Sequence, residues 1–213
     1  MNQTKALIAE LQRFGITNSK VLKAFEIVPR DAFTRSTDVS HAYANIALPI
    51  SCEQTISQPY IVALMTQSLF LHPQPQKILE VGTGSGYQSA ILSVLFKEIY
   101  SIERIKPLHE TAKEILAKLN YTNVRCQWGD GFQGWAEHAP YDGILVTACA
   151  PSIPTSLFDQ LSPNGGIMVI PLQNDSGIQQ LTLIKKQDDK IASSNLEFVS
   201  FVPLLKGTSD PRT

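Results

Sequence analysis

A glycine-rich run between an apolar strand and an apolar helix constrains the fold of this chain more than any other feature. Residues 77–81 have the pattern of a buried strand, Gly82-Thr83-Gly84-Ser85-Gly86 follow directly, and residues 87–96 have the pattern of a buried helix. A turn in this position directs backbone N–H groups and the positive end of the helix towards a polar or anionic ligand. The run therefore predicts the first strand, loop and helix of an α/β ligand-binding sheet.

The spacing of these glycines excludes three common loop types. A dinucleotide-binding loop needs a glycine where Tyr87 stands, and a serine-hydrolase elbow needs a serine where Gly84 stands. The chain also has no Gly-Lys-Ser/Thr run, which a nucleoside-triphosphate loop requires. Together with Glu80 before it, the run up to Gly86 resembles the S-adenosylmethionine loop of class I methyltransferases.

Two acidic residues further along the chain suit the same kind of ligand. Glu103 ends the next predicted strand, about 20 residues after the loop, where an acid is expected to bind a ribose hydroxyl. Gly129-Asp130-Gly131 ends a third strand. Its glycines would let the backbone lie against a flat ring, while Asp130 accepts from an adenine amino group. A plain turn is the alternative for these three residues.

The alternation of strands and helices predicts the fold class. Helical patterns separate most of the strands, which are predicted at 77–81, 99–103, 123–128, 141–147, 166–171, 180–186 and 196–202. This order is typical of an α/β fold with a doubly wound, mostly parallel Rossmann-like sheet, helices on both faces and an antiparallel pair at one edge. Asp188-Asp189-Lys190 would form a polar hairpin tip at that edge.

The first part of the chain has a different pattern from the rest. Two short helices are predicted there, the first ended by Gly15 and the second capped by Asn18. Residues 30–59 show no sustained period but are rich in aromatic and hydroxyl side chains. We therefore expect an N-terminal helical segment with an active-site loop, residues 1–58, packed on a core domain, residues 59–213, as one compact unit.

Charge and hydropathy restrict the binding partners and the cellular location that we expect for this protein. Lys and Arg number 18 against 19 Asp and Glu, so no global charge attracts the chain to nucleic acid or to an anionic membrane. No apolar run approaches the ~18 residues that span a bilayer, and the N-terminus lacks the pattern of a secretory signal. The cysteines are widely spaced and the histidines scattered, so no disulfide or metal site is expected. These patterns predict a cytoplasmic protein, and we expect a monomer because no apolar stripe of the sequence is left unburied.

Several short segments together resemble the protein-L-isoaspartate (D-aspartate) O-methyltransferase family. They are Gln54-Thr55-Ile56-Ser57-Gln58-Pro59, residues 80–86, Ile102-Glu103-Arg104, Gly129-Asp130-Gly131, residues 139–142, residues 145–148 and Phe201-Val202-Pro203-Leu204. The resemblance covers residues 21–207. It implies methyl transfer from S-adenosylmethionine to the α-carboxylate of L-isoaspartyl residues in damaged proteins and peptides. The products would be S-adenosylhomocysteine and an ester that can collapse to a succinimide, which initiates repair.

The same resemblance implies roles for individual residues. The active-site hydroxyl and the substrate-binding residues would be Ser57, Thr55, Gln58 and Val202. The cofactor-binding residues would be Glu80, Gly82, Thr83, Gly84, Ser85, Gly86, Glu103, Asp130, Gly131 and Thr147. Two of these positions have a second interpretation, because Ser57 also suits the N-cap of a helix that begins at Pro59, and Val202 also suits the core.

Two residues next to the serine depart from the family pattern. Ser51 and Glu53 stand where the family usually has glycines, which tolerate positive φ. Glu53 also brings a negative charge near an anionic substrate unless it points to solvent. A related methyltransferase with another acceptor, or a non-catalytic module that binds cofactor or peptide, therefore stays open. DNA base methylation is disfavoured because residues 147–151 lack an Asn/Asp-Pro-Pro-aromatic motif.

Overall fold

The computed structural model describes residues 3–187 and 190–211. The chain begins with helices α1 (Gln3–Arg13) and α2 (Ser19–Ile27), followed by two short 3-10 helices (Arg30–Phe33 and Ser36–His41). Gly15, with φ of +91°, follows α1, and the Asn18 side chain caps α2 by accepting from the backbone of Lys20 and Val21. Both predicted helix boundaries are confirmed.

A seven-stranded sheet forms the centre of the molecule. Its strands are β3 (Lys77–Val81), β4 (Glu98–Glu103), β5 (Val124–Trp128), β6 (Gly143–Val146), β7 (Asn164–Gln173), β8 (Gln179–Gln187) and β9 (Lys190–Val199), in the order β5-β4-β3-β6-β7-β8-β9. The first five strands in that order are parallel, whereas β8 and β9 add antiparallel pairs at one edge. The predicted fold class is confirmed.

The helices that follow the N-terminal segment are α3 (Pro59–Leu69), α4 (Tyr87–Leu95), α5 (Lys106–Lys118) and α6 (Thr155–Asp159). Helices α3 and α4 bury Met65 and Leu92 against one face of the sheet, where Ile78 and Leu145 point. The short α6 buries Leu157 against the other face. Because both faces are covered, the central strands are continuously apolar, which is why they could be recognised in the sequence. Within the described ranges, no helix is both long and apolar enough to cross a membrane.

Two segments differ from the sequence-based expectation. Residues 48–56, expected to be irregular, contain a small antiparallel ribbon of β1 (Leu48–Pro49) and β2 (Thr55–Ile56). Strand β9 covers Lys190–Val199, so the predicted 196–202 is wrong at both ends. Its first half is exposed, has no apolar pattern and is defined by backbone pairing with β8, and that pairing ends at Val199, opposite Gln179. Of the predicted polar tip, Asp188 and Asp189 lie outside the described residues.

The strand order places one crevice at the carboxyl edge of the sheet. From β3 the chain crosses to β4 on one side, and the later strand β6 pairs with the other side of β3. Val81 at the end of β3 lies level with Ile102 of β4 and Val146 of β6, so these three strands end together. In open α/β sheets, such a reversal of strand order is where ligands bind.

Candidate active site

A cavity of about 780 Å³ lies at this carboxyl edge. Its volume falls within the ~300–1,000 Å³ usual for small-molecule sites. The predicted site residues that line it are Thr55, Ser57, Gln58, Gly82, Thr83, Gly84, Ser85, Glu103, Gly131, Thr147 and Val202. The predicted residues that do not line it are Glu80, Gly86 and Asp130. The fold therefore brings most of the predicted positions together around one cavity.

The glycine loop is locked against the end of β6. The Thr147 hydroxyl donates to the carbonyls of Gly82 (2.8 Å) and Val81 (3.0 Å). Gly82 has φ of +97°, and a Cβ at this position would collide with the Thr147 hydroxyl. Only glycine satisfies both the positive φ and the close approach. Thr147 thus shapes the loop as well as lining the cavity.

Glu103 presents a buried carboxylate to the cavity. The residue is 5% exposed, and its Oε2 and Oε1 accept from the backbone N–H groups of Gly84 and Ile105, both at 2.9 Å. Burial raises the pKa of Glu103, and these backbone N–H donors oppose the rise. A carboxylate offers about four lone-pair sites, so acceptor capacity is left for ligand hydroxyl groups. Its two backbone contacts also hold the loop in place.

Glu80 lies beneath the glycine loop instead of in the cavity. It is fully buried, and Oε2 accepts from the hydroxyls of Ser101 (2.6 Å) and Ser89. Thr83 in the loop shares a hydrogen bond with Ser101 at 2.6 Å. Burial raises the pKa of Glu80 to about 7, while the serine hydroxyls lower it. Glu80 therefore connects the loop to β4 and α4 through a buried polar network.

Gly86 and Asp130 have local structural contacts. Gly86 occupies the N-cap position of α4, and a Cβ there would lie 3.4 Å from Ala112 and Leu116 of α5. Asp130 Oδ1 accepts from the N–H of Phe132 at 2.9 Å, as in an Asx-turn. Whether either residue contacts a ligand stays a prediction.

Ser57 lies half-buried between β2 and α3 and faces the cavity. The alternative that it caps α3 is wrong, because the N-cap residue is Gln58 and no side chain of that residue caps the helix. Instead, Asn45 Oδ1 accepts from the N–H of Tyr60 in the first turn of α3 at 2.9 Å. The backbone carbonyl of Asn45 accepts from Gln58 Nε2, also at 2.9 Å. In the described part of the chain, the Ser57 hydroxyl makes no hydrogen bond.

The sequence analysis missed Asn45 and Arg30, which both support the Ser57 segment. Asn45 lies 15 residues from Tyr60 in sequence, and Arg30 lies 27 residues from Ser57. Arg30 Nη2 donates to the Ser57 carbonyl at 2.8 Å, and the side chain is fully buried. A single arginine or asparagine carries no local pattern that would predict such distant contacts.

The residues that replace family glycines lie outside the cavity. Glu53 adopts φ of +58° and is exposed, which supports the interpretation that it points to solvent. Its neighbour Cys52 has φ of +57°, whereas Ser51 does not have a positive φ. The backbone at residue 53 therefore has the conformation that favours glycine, and the backbone at residue 51 does not.

The two ends of the cavity differ in charge. Among the described residues, the only charged side chains that line it are Glu103 and Arg104, both beside the glycine loop. The end around Ser57 is lined by neutral polar and apolar side chains. Three large apolar residues that line the cavity are well exposed: Ile46 (49%), Phe198 (67%) and Leu205 (48%). One end thus suits a polar cofactor and the other an extended peptide.

A comparison with protein-family models decides the family. The model described as "Protein-L-isoaspartate(D-aspartate) O-methyltransferase (PCMT)" matches residues 2–209. This chain belongs to the protein-L-isoaspartate O-methyltransferase family. Relatives named protein-L-isoaspartate O-methyltransferase include one from Shewanella oneidensis, 49% identical over 94% of this chain and 93% of the relative. Another, from Pseudomonas paraeruginosa, is 47% identical over 94% of each chain.

Solved structures of protein-L-isoaspartate O-methyltransferases have the same fold. One is 31% identical with a TM-score of 0.85 and covers 94% of this chain and 65% of its own longer chain. A Plasmodium falciparum protein assigned to the same activity, in complex with S-adenosyl-L-homocysteine, is 26% identical with a TM-score of 0.83, over 97% of this chain and all of that one. The family membership supports S-adenosylmethionine-dependent methylation of isoaspartyl-containing proteins, and no comparison favours a different acceptor or a non-catalytic role.

Proposed function

We propose that this chain transfers a methyl group from S-adenosylmethionine to the α-carboxylate of L-isoaspartyl residues, with Ser57 as the hydroxyl that orients the carboxylate. The observation that carries the proposal is that one cavity extends from Glu103 and the glycine loop to Ser57. A donor at one end and an acceptor at the other would therefore meet in a single cavity.

The residues at the glycine-loop end fit the cofactor. Glu103 would accept from ribose hydroxyls, since its carboxylate is fixed by Gly84 and Ile105 and keeps free lone pairs. Gly131 lines the cavity, where its backbone would lie against the adenine, and a Cβ added here would collide with Val81 at 2.5 Å, so the position requires glycine. When bound, S-adenosylmethionine supplies an electrophilic methyl group on a sulfonium.

The acceptor end suits a reaction without strong acid–base catalysis. A carboxylate with a reference pKa of ~3.9 is already ionised at neutral pH, so no base is needed to generate the nucleophile. Ser57, with no hydrogen-bond partner in the described residues, is free to donate to that carboxylate. Thr55, Gln58 and Val202 would form the surrounding substrate site. Alignment of two bound reactants is worth about 7–11 kcal/mol, so positioning accounts for most of the catalysis.

The proposal is tested by incubating the protein with S-adenosylmethionine labelled in the methyl group and with matched isoaspartyl and aspartyl peptides. Label on the isoaspartyl peptide alone supports it. Label on neither peptide, while calorimetry shows S-adenosylhomocysteine binding, would leave a non-catalytic module. Label on another class of acceptor would indicate a related methyltransferase.

A cytoplasmic location, a monomeric state and the lack of a nucleic-acid or membrane partner belong to the same proposal. The near balance of 18 basic and 19 acidic residues supports the last of these. Light scattering would test the monomer against the chain mass of 23.5 kDa.

A further inference from the structure

Arg30 is a buried cation that has no anionic partner among the residues that the structure describes. Its side chain has no exposed surface, and no carboxylate lies within ion-pair distance in residues 3–187 and 190–211. The nearest acid in sequence, Asp31, accepts from the hydroxyl of Tyr43. Nε and Nη1 of Arg30 have no hydrogen-bond partner in the same part of the chain. Burying a guanidinium in this way is unfavourable unless another group compensates the charge.

The contacts that Arg30 does make all lie on the wall of the cavity. Nη2 donates to the carbonyls of Ser57 (2.8 Å) and Ile46 (3.5 Å). The guanidinium carbon lies 4.7 Å from the centre of the Tyr87 ring. Ser57, Ile46 and Tyr87 each line the cavity, so the positive charge sits directly behind its acceptor end.

The described residues that line this end of the cavity supply no further cation. Among the described lining residues, Arg104 is the only one with a positive charge, and it lies beside Glu103 at the cofactor end. Burial lowers the pKa of Arg30 and the neighbouring Tyr87 opposes this, but a guanidinium titrates so high that it keeps its charge at neutral pH. A carboxylate arriving at Ser57 would meet the positive potential of Arg30 through a poorly screened interior.

We propose that Arg30 is a positioning residue for methyl transfer: it holds the Ser57 backbone in place, and its charge draws the isoaspartyl carboxylate to the Ser57 hydroxyl. This inference rests on the function proposed above. The anionic substrate then compensates the buried cation, which explains why an arginine and not an apolar residue occupies a site with so few partners.

The test compares Arg30→Met, which removes the charge, with Arg30→Lys, which keeps it. We expect Arg30→Met to raise KM for an isoaspartyl peptide about 10- to 30-fold, because the charge acts across a low-dielectric interior. Arg30→Lys should hold KM within about threefold of the parent while kcat falls, since an ammonium reproduces the charge but not the geometry with which Nη2 donates to the Ser57 and Ile46 carbonyls. S-adenosylhomocysteine affinity should not change in either variant.

Arg125→Met is the control for loss of an arginine that lies beside a tyrosine ring but on the exposed surface. Arg125 also lies over a tyrosine ring, 5.3 Å from the centre of Tyr100, and donates to the Tyr100 hydroxyl at 2.7 Å, but it does not line the cavity. Its removal should leave KM and kcat unchanged. If Arg30→Met keeps the parent KM, or if both Arg30 variants lose activity only in proportion to the unfolded fraction seen by circular dichroism, the inference is overturned. If Arg30→Met does not fold, an Arg30→Lys variant with raised KM overturns it. A parent protein that does not label isoaspartyl peptide contradicts the proposed function instead.

Discussion

Glu80 and Glu103 are both buried glutamates at the ends of neighbouring strands, yet their surroundings differ. Side chains alternate between the faces of a strand, so Glu80 points away from Val81 and towards the α4 side, where Ser89 donates to it. Glu103 ends β4 and reaches the cavity. The sequence predicted a cofactor role for both because strand alternation alone does not tell which face of the sheet the loop and its ligand occupy.

Replacing Glu103 by alanine should weaken S-adenosylhomocysteine binding by about 1.5–3 kcal/mol, the value of hydrogen bonds to a charged group. Isothermal titration calorimetry measures the change. Glu98→Ala is the control, because Glu98 begins the same strand and contacts the Tyr100 hydroxyl away from the cavity. Equal affinity in the Glu103 variant and the parent would remove this residue from the cofactor site.

Replacing Glu80 by glutamine should change how stability depends on pH. The folded pKa of Glu80, about 7, lies above the ordinary glutamate value of 4.5, so the folded state binds the proton more tightly than the unfolded state. The resulting stability is present below the unfolded pKa and is lost as pH rises towards 7. The unfolding free energy of the parent relative to Glu80→Gln should therefore fall by about 2–3 kcal/mol between pH 5 and pH 8. Urea unfolding across this range measures it, and a constant difference would contradict the shift.

Ser57→Ala should lower kcat/KM for an isoaspartyl peptide about 10- to 100-fold, the effect of losing one hydrogen bond to a charged group. Cofactor affinity should stay the same, because the hydroxyl lies at the acceptor end. Ser152→Ala, on the exposed surface away from the cavity, is the matched control. An unchanged rate in the Ser57 variant would exclude its hydroxyl from the reaction.

At the scale of elements, the ribbon of β1 and β2 contains residues in an unfavourable conformation. Glu53→Gly should raise the free energy of unfolding by about 0.5–1 kcal/mol, because glycine adopts φ of +58° without the steric cost of a Cβ. Glu53→Ala, which removes the charge but keeps the Cβ, should change it by less than about 0.5 kcal/mol. Ser51→Gly should lower the free energy of unfolding, since φ at residue 51 is not positive and glycine gains nothing there. Chemical denaturation distinguishes these outcomes, and equal effects of the three variants would contradict the argument.

The sequence predicted the buried strands well and the exposed or short ones poorly. β3 was placed at the residues observed, because a continuous apolar run bounded by glycine is a strong local signal. The ribbon and the first half of β9 are defined by backbone pairing within hairpins, and backbone pairing cannot be recognised from the composition of a segment. The same limit applied to the site, where the glycine loop was predicted from its spacing but the contacts of Asn45 and Arg30 were not.

At the scale of the whole molecule, the N-terminal helices share a core with the sheet domain. Leu11 and Phe25 belong to the same buried cluster as Ile91 and Leu116. The Phe25 ring also meets the Tyr87 ring edge-on, with centroids 6.1 Å apart. Elements that share one core are expected to unfold together.

We therefore predict that native-state hydrogen exchange gives amides in α2 and in α4 opening free energies within about 1 kcal/mol of each other. Mass spectrometry of peptides from the two helices measures this. The predicted boundary between residues 58 and 59 would then separate the active-site loop from the core domain without separating two cooperative folding units. Opening of α2 at a much lower free energy would show that residues 1–58 form a separately unfolding segment.

Ser57 lies half-buried within the cavity, and this position restricts which protein substrates can reach its hydroxyl. The backbone of a rigid helix or sheet cannot extend into the cavity past Ile46, Phe198 and Leu205. The backbone of an unfolded segment can. We therefore expect isoaspartyl residues in locally unfolded segments to be methylated faster than isoaspartyl residues in helices or sheets.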